Sequence, residues 1–301
     1  MQKKKIIALS VLAAVLASAS LLLYKNSHLL YIAGEYLGVS CKRVSVEKTE
    51  PENLVDFTLE ELEQRENTAF NQSLMLVNNR HMLMQGFVPD VSEYKKTGVF
   101  MNSCMQKAYG ELSAAVTEKT ESRLYVSSDL RSYEEQQEVF AQTPDVAIQP
   151  GASEHQTGLA LDVYVKNFAG EGFIKSEAGR FVNSESWRYG FIIRYPSFGK
   201  EKTEITFEPW HIRYVGEPHA KIIYNNHITL EEYIQSLEKN IWYKSEDCLI
   251  SRQELSEDGR LKLPRDYSEA VISPDNTGCL LSPYTDFCRA SASDNSKTKF
   301  K

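Results

Sequence analysis

Cysteine is scarce in this chain and odd in number: Cys41, Cys104, Cys248, Cys279 and Cys288 make 5 in 301 residues. No C-x-x-C pair occurs among them, which argues against a cysteine zinc site. Basic charge is not in excess either. The formal net charge of −7 argues against nucleic acid as a partner. What is present is apolar: with 42% hydrophobic residues, the chain has enough to bury a full core, as one main domain with appendages.

One apolar run stands apart. Three lysines, Lys3 to Lys5, precede an uncharged stretch from Ile6 to Tyr24 that is long enough to span a bilayer as a helix. The lysines favour a cytoplasmic N-terminus and place everything after Lys25 outside. Ala17-Ser18-Ala19 resembles a signal-peptide cleavage site. Leu21, Leu22 and Leu23 carry the run past it, so residues 1–25 are expected to stay as a membrane anchor. Either way the body is extracytoplasmic, a compartment that permits a disulfide among Cys248, Cys279 and Cys288. Residues 26–66 are charged and irregular, with Pro51 and a capping-box spacing at Thr58 and Glu61, and read as a stalk. Residues 67–239 form the main domain. Within it "SLMLVNNRHML" reads as an entering strand, Met101 to Val116 as an amphipathic core helix, and Leu230 to Leu237 as a closing helix. Residues 240–290 suggest a small β module around an Asp258-Gly259 turn, and 291–301 a polar tail.

Three stretches of the main domain carry chemistry. In "SEHQTGLALDVYV", residues 153 to 165, Leu159, Leu161, Val163 and Val165 alternate with Ala160, Asp162 and Tyr164, the period of a half-buried strand. A carboxylate there needs a partner or a cation. In "SSDLRSYEEQQEVF", Ser132 and Glu135 form a capping box, so a helix starts just after Arg131 and holds that side chain at a strand-to-helix junction. In "TFEPWHIRYVGEPH", Trp210, Ile212 and Tyr214 alternate with His211, Arg213 and Val215, and Pro209 marks the strand entrance or a bulge. A kink there can turn Glu208 and His211 toward one centre. His155, Asp162 and His211 together make a two-histidine, one-carboxylate set suited to zinc with a fourth position open. Extended chain would separate His155 from Asp162 by roughly 23 Å, so the chain must double back, and Gly158 permits the turn. Glu208 is then placed to take a proton from the attacking water, and Arg131 to face the oxygen that becomes negative.

S-x-H-x-x-G-x-A-x-D (Ser153, His155, Gly158, Ala160, Asp162) with E-x-W-H (Glu208, Trp210, His211) resembles the zinc D-alanyl-D-alanine peptidases. That group also holds the lysostaphin-type endopeptidases and the hedgehog amino-terminal domain. The segment with Ser128, Arg131 and Gln136 also matches, as does "WRYGFIIRYP". The likeness runs over roughly residues 70 to 238 and is nearest to the membrane-anchored D,D-carboxypeptidases of vancomycin-resistance clusters, the VanY type. Asp129 departs from it, standing where relatives commonly carry glycine, and is expected to affect only the local turn.

The resemblance implies an α+β fold, helices packed around an antiparallel sheet with zinc in a cleft on the sheet. It implies that His155, Asp162 and His211 bind zinc, that Glu208 is the base and that Arg131 stabilises the oxyanion. Ser153 and Gln136 become substrate-contact candidates, and Trp210 either walls the cleft or sits in the core. His219, His227, Arg213 and Tyr214 receive no chemistry. The implied activity is removal of the terminal D-Ala from peptidoglycan precursor peptides ending in D-Ala-D-Ala, a contribution to glycopeptide resistance. The alternatives are an L,D-carboxypeptidase, a peptidoglycan endopeptidase, or a wall-binding module without catalysis.

Overall fold

In the computed structural model, which describes residues 26–144 and 147–285, the alternation around Asp162 becomes the strand Ala160–Tyr164. It lies at the centre of a four-stranded antiparallel sheet. The order across the sheet is Tyr125–Ser128, Ala160–Tyr164, His211–Tyr214, Phe191–Ile193. One face buries Leu161, Val163, Phe191 and Ile212 against the helices Gln106–Thr120 and Glu177–Glu185, through Tyr109, Leu112, Val116, Ala178 and Val182. Each such side chain removed from water contributes about 1.5–3 kcal/mol, so this layer fixes the sheet on which the other face works. The fold is the α+β class that the sequence implies. The two capping boxes expected at Thr58–Glu61 and Ser132–Glu135 both form.

The segment expected as a stalk, residues 26–66, is built differently. It begins with a helix, Ser27–Tyr36. Farther on, Glu47–Thr49 pairs with Trp242–Ser245, and Leu54–Thr58 with Arg260–Pro264. Thr68–Phe70 adds a parallel edge to Glu269–Pro274. The β module of 240–290 therefore shares its sheets with strands from residues 47–70, in a six-stranded sheet and a two-stranded ribbon. Phe57, Leu62, Leu261, Leu263 and Ile272 form their common core. Strands of three to five residues carry too few alternations to stand out in a charged sequence, and their partners lie roughly 200 residues away.

The entering strand expected over Ser73–Leu83 does not form. Leu74, Met75, Leu76 and Val77 are all buried, but their backbone groups find scattered partners instead of one neighbouring strand. Leu74 N–H donates to Ser273 Oγ and Leu76 N–H to the Asp275 carbonyl, while the Ser73 and Met75 carbonyls accept from Arg213. Cys41, Cys104, Cys248 and Cys279 are free thiols, so no disulfide joins Cys248 to Cys279; Cys288 lies outside the described residues. The anchor expected over 1–25 and the tail 291–301 also lie outside them. Among the described residues no helix is long and apolar enough to cross a membrane.

Candidate metal centre

Strand register builds the site. Asp162 and His211 are directly opposite each other on neighbouring strands, so their side chains leave the same face. The third group arrives from a turn. A short 3-10 helix, Glu154–Thr157, ends at Gly158 in the left-handed region, φ 68°. A Cβ on Gly158 would lie 2.5 Å from Val91 Cγ1 and 3.0 Å from the Asn102 nitrogen. Only glycine suits both constraints. The reversal carries His155 back over the strand, so that His155 Nε2 lies 3.5 Å from Asp162 Oδ2, while His211 Nδ1 lies 3.0 Å from Asp162 Oδ1.

One ligand atom from each of these three residues lies within 4.8 Å of the others. Asp162 Oδ1 is buried and has no hydrogen-bond partner, although the His211 ring is beside it. A cation among these lone pairs satisfies them, and two imidazoles with a carboxylate are a zinc donor set. The residues therefore fit zinc. The electrostatics agree: burial alone would lower the His211 pKa, but the surrounding carboxylates of Asp162 and Glu154 outweigh it and raise it to about 9. The same pairing, with His155 and His211, holds the Asp162 carboxyl well below the usual carboxylate range against the opposing effect of burial. The pocket favours positive charge.

Pro209 does what its position in the sequence suggests. His211 N–H donates to the Glu208 carbonyl in a turn that brings Glu208 Oε2 to 3.8 Å from His211 Nδ1. Burial pushes the Glu208 carboxyl up, His211 pulls it down in part and Asp162 adds to the rise. Arg131 is held beside the His155 turn by its own N–H, which donates to the His155 carbonyl. Its guanidinium donates through Nη1 to Gln136 Oε1, 2.9 Å, and through Nη2 to Ser128 Oγ, 2.9 Å. Gln136 is buried, with its amide nitrogen on the Ile148 carbonyl. In this arrangement it orients Arg131, and both its ends are engaged. Ser153 is buried at the start of the 3-10 turn. Trp210 packs against the core layer under the sheet, the second of its two expected places.

Several residues at the site escape sequence reasoning. His155 Nδ1 bonds the Asp129 carbonyl at 2.7 Å, and Asp129 Oδ2 accepts the Phe100 N–H. The departure at Asp129 thus ties a neighbouring strand to the turn that orients His155. Tyr195 lies against the His211 ring, 4.9 Å between centroids. Behind the sheet face, Glu154, Arg194, Arg213 and Glu231 form a buried ionic cluster. The sequence signal was an arginine in each of two apolar strands, "FIIRYP" and "HIRY", and a glutamate directly before His155. His219 and His227 hold structure: His219 Nδ1 shares a proton with the Tyr233 hydroxyl, and His227 Nε2 donates to the Glu35 carbonyl.

A family model described as VanY, D-alanyl-D-alanine carboxypeptidase, matches residues 98–217, which include His155, Asp162, His211, Glu208 and Arg131. The chain is 33% identical over 186 residues to the putative carboxypeptidase YodJ of Bacillus subtilis, covering 55% of this chain and 68% of that protein. It is 32% identical over 190 residues to the bifunctional D-Ala-D-Ala dipeptidase and D-Ala-D-Ala carboxypeptidase VanXYC of Enterococcus gallinarum, covering 56% of this chain and 97% of the relative. Among solved structures, VanYB in complex with D-alanine-D-alanine is 29% identical with a TM-score of 0.50, covering 55% of this chain and 99% of that one.

Proposed function

The chain belongs to the VanY-type D-alanyl-D-alanine carboxypeptidase family, zinc-dependent hydrolases, and on that premise we propose that it removes the C-terminal D-Ala from acylated peptides ending in D-Ala-D-Ala. The observation that carries this reading is the convergence of His155, Asp162, His211 and Glu208 on one sheet face, with Arg131 held at its rim. His155, Asp162 and His211 would hold the zinc. When bound, zinc supplies Lewis-acid polarisation of the scissile carbonyl and a more acidic water. Glu208 takes the proton of the attacking water on its carboxylate and returns it to the departing amine of D-Ala; its raised pKa suits both transfers. Arg131, fixed by Gln136 and Ser128, offers its remaining N–H groups to the oxygen that becomes negative. A binding-only site would need neither Glu208 nor Arg131.

The apolar run before Lys25 supports a membrane-anchored enzyme with its catalytic domain outside the cytoplasm. In that place it meets lipid-linked or wall-attached pentapeptide, and trimming this peptide removes the acyl-D-Ala-D-Ala target of glycopeptides. Remote contacts along the acyl chain can then lower the barrier at the scissile bond. The test is D-Ala release from matched substrates at equal concentration, with and without added zinc. A muramyl pentapeptide should be cut with much higher kcat/KM than free D-Ala-D-Ala, and peptides ending in an L-residue less well. Faster cleavage of the free dipeptide would make the protein a dipeptidase, and preference for a tetrapeptide would make it an L,D-carboxypeptidase.

A further inference from the structure

His155 and His211 each offer one ring nitrogen to the metal centre, and the opposite nitrogen of each ring decides how firmly the first is aimed. For His155 the partner is plain: Nδ1 meets the Asp129 carbonyl at 2.7 Å. For His211, Nδ1 faces Asp162 and Nε2 turns inward, where it ends 3.7 Å from Glu154 Oε2. Both of these atoms are buried, and neither has any hydrogen-bond partner. A bridging water, bonded to each at about 2.8 Å and a near-tetrahedral angle, would hold its two neighbours roughly 4.5 Å apart, so none fits. A small ring rotation would close the gap to a direct bond.

The geometry around Glu154 separates this role from simple charge neutralisation. Glu231 gives both oxygens to Arg194, at 2.6 and 3.0 Å. Glu154 meets its two arginines through Oε1 alone, with Arg194 Nε at 2.7 Å and Arg213 Nη1 at 2.6 Å. Its other oxygen is left directed at His211. Arg213 is in turn clamped on the Ser73 and Met75 carbonyls, so the carboxylate has little freedom to turn away.

We propose that Glu154 is a positioning residue: its Oε2 accepts the proton of His211 Nε2, fixing the tautomer in which Nδ1 presents its lone pair to the metal. This rests on the reading that His211 binds zinc. An imidazole held by a carboxylate from behind is oriented and made more basic, and losing such a partner costs roughly 10- to 100-fold in metal affinity. Glu154 also precedes His155 in the chain, so one short turn supplies a ligand and the group that aims another ligand.

The experiment measures zinc affinity by chelator competition on the full chain, alongside long-range nitrogen-15 correlation spectra of the histidine side chains in the zinc-loaded protein. In the unsubstituted protein His211 should carry its proton on Nε2 and its metal on Nδ1. Glu154→Gln should weaken zinc binding roughly 10- to 100-fold and shift the Nε2–H resonance. Glu231→Gln, which breaks the same ionic cluster without touching His211, should lower Tm and leave zinc affinity unchanged. If Glu154→Gln does not fold, Glu154→Asp keeps the charge but withdraws it by one methylene, and should bind zinc less tightly than the parent. Unchanged zinc affinity in a folded Glu154 variant, or a His211 metallated through Nε2, overturns the proposal. Undiminished zinc binding in His211→Ala would instead overturn the ligand assignment on which it stands.

Discussion

Glu208 is partly exposed, 3.8 Å from the His211 ring, with its carboxyl pushed up by burial. It is not one of the three residues grouped to hold a metal, so its loss should separate chemistry from metal binding. Glu208→Ala is expected to retain zinc and Tm while kcat falls roughly 100- to 10,000-fold; metal analysis and D-Ala release on one preparation check both. Arg131→Ala should lower kcat more than it raises KM, because its contact strengthens as the oxyanion forms. These residues were legible because their spacing is local: His155 to Asp162 and Glu208 to His211 each fall within one motif. The residues behind them were not. Glu154 meets Arg194 and Arg213 across sequence separations of 40 and 59, and no periodicity announces a lone charge whose partner is that distant. Gln136 was singled out for the right neighbourhood, and the structure ties it to Arg131.

At the scale of elements, the turn at Gly158 and the helix Ser27–Tyr36 are the most exposed to test. Gly158→Ala places a methyl against Val91 and Asn102 in a left-handed conformation. It should cost about 1–3 kcal/mol and displace His155, so thermal melts and zinc titration should both register it. The helix Ser27–Tyr36 rests on the catalytic domain through Glu35, whose side chain accepts from Ser197 Oγ and whose carbonyl meets His227. Burial pushes the Glu35 carboxyl from 4.5 up to about 7, the Ser197 bond opposing in part. The docked helix therefore favours the protonated acid. Its hold is fullest below pH 4.5 and is lost as pH rises through about 7. Amide exchange over residues 27–36, corrected for intrinsic rates, should show weaker protection at pH 8 than at pH 6, and Glu35→Gln should abolish the difference. Sequence reading found neither this helix nor the short strands after it. An amphipathic helix of three turns and strands of three residues gain their stability from tertiary partners more than from local pattern.

Viewed as a whole molecule, the chain is a catalytic domain set into a β domain: strands at 47–70 and 242–285 close around residues between them. Deleting 241–301 would leave Phe57, Leu62 and Val55 without Leu261, Leu263 and Ile272, with the edges of Glu47–Thr49 and Leu54–Thr58 unpaired. Such a truncation is expected to expose an aggregation-prone surface, seen as early-eluting aggregate in size-exclusion chromatography, whereas a true stalk and tail would be removed without effect. The same interleaving imposes an order of events during biosynthesis. The nascent chain delivers its first strands long before their partners exist, and Val215, Ile222 and Tyr233 of the catalytic domain likewise share one core with Tyr243, Ile250 and Leu281. Those early strands must wait, unpaired, until translation has passed residue 264 for one and 274 for another. A ribosome that pauses between codons 242 and 274 would therefore hold a chain whose first β segments still search for a sheet, the interval in which a chaperone has most to protect.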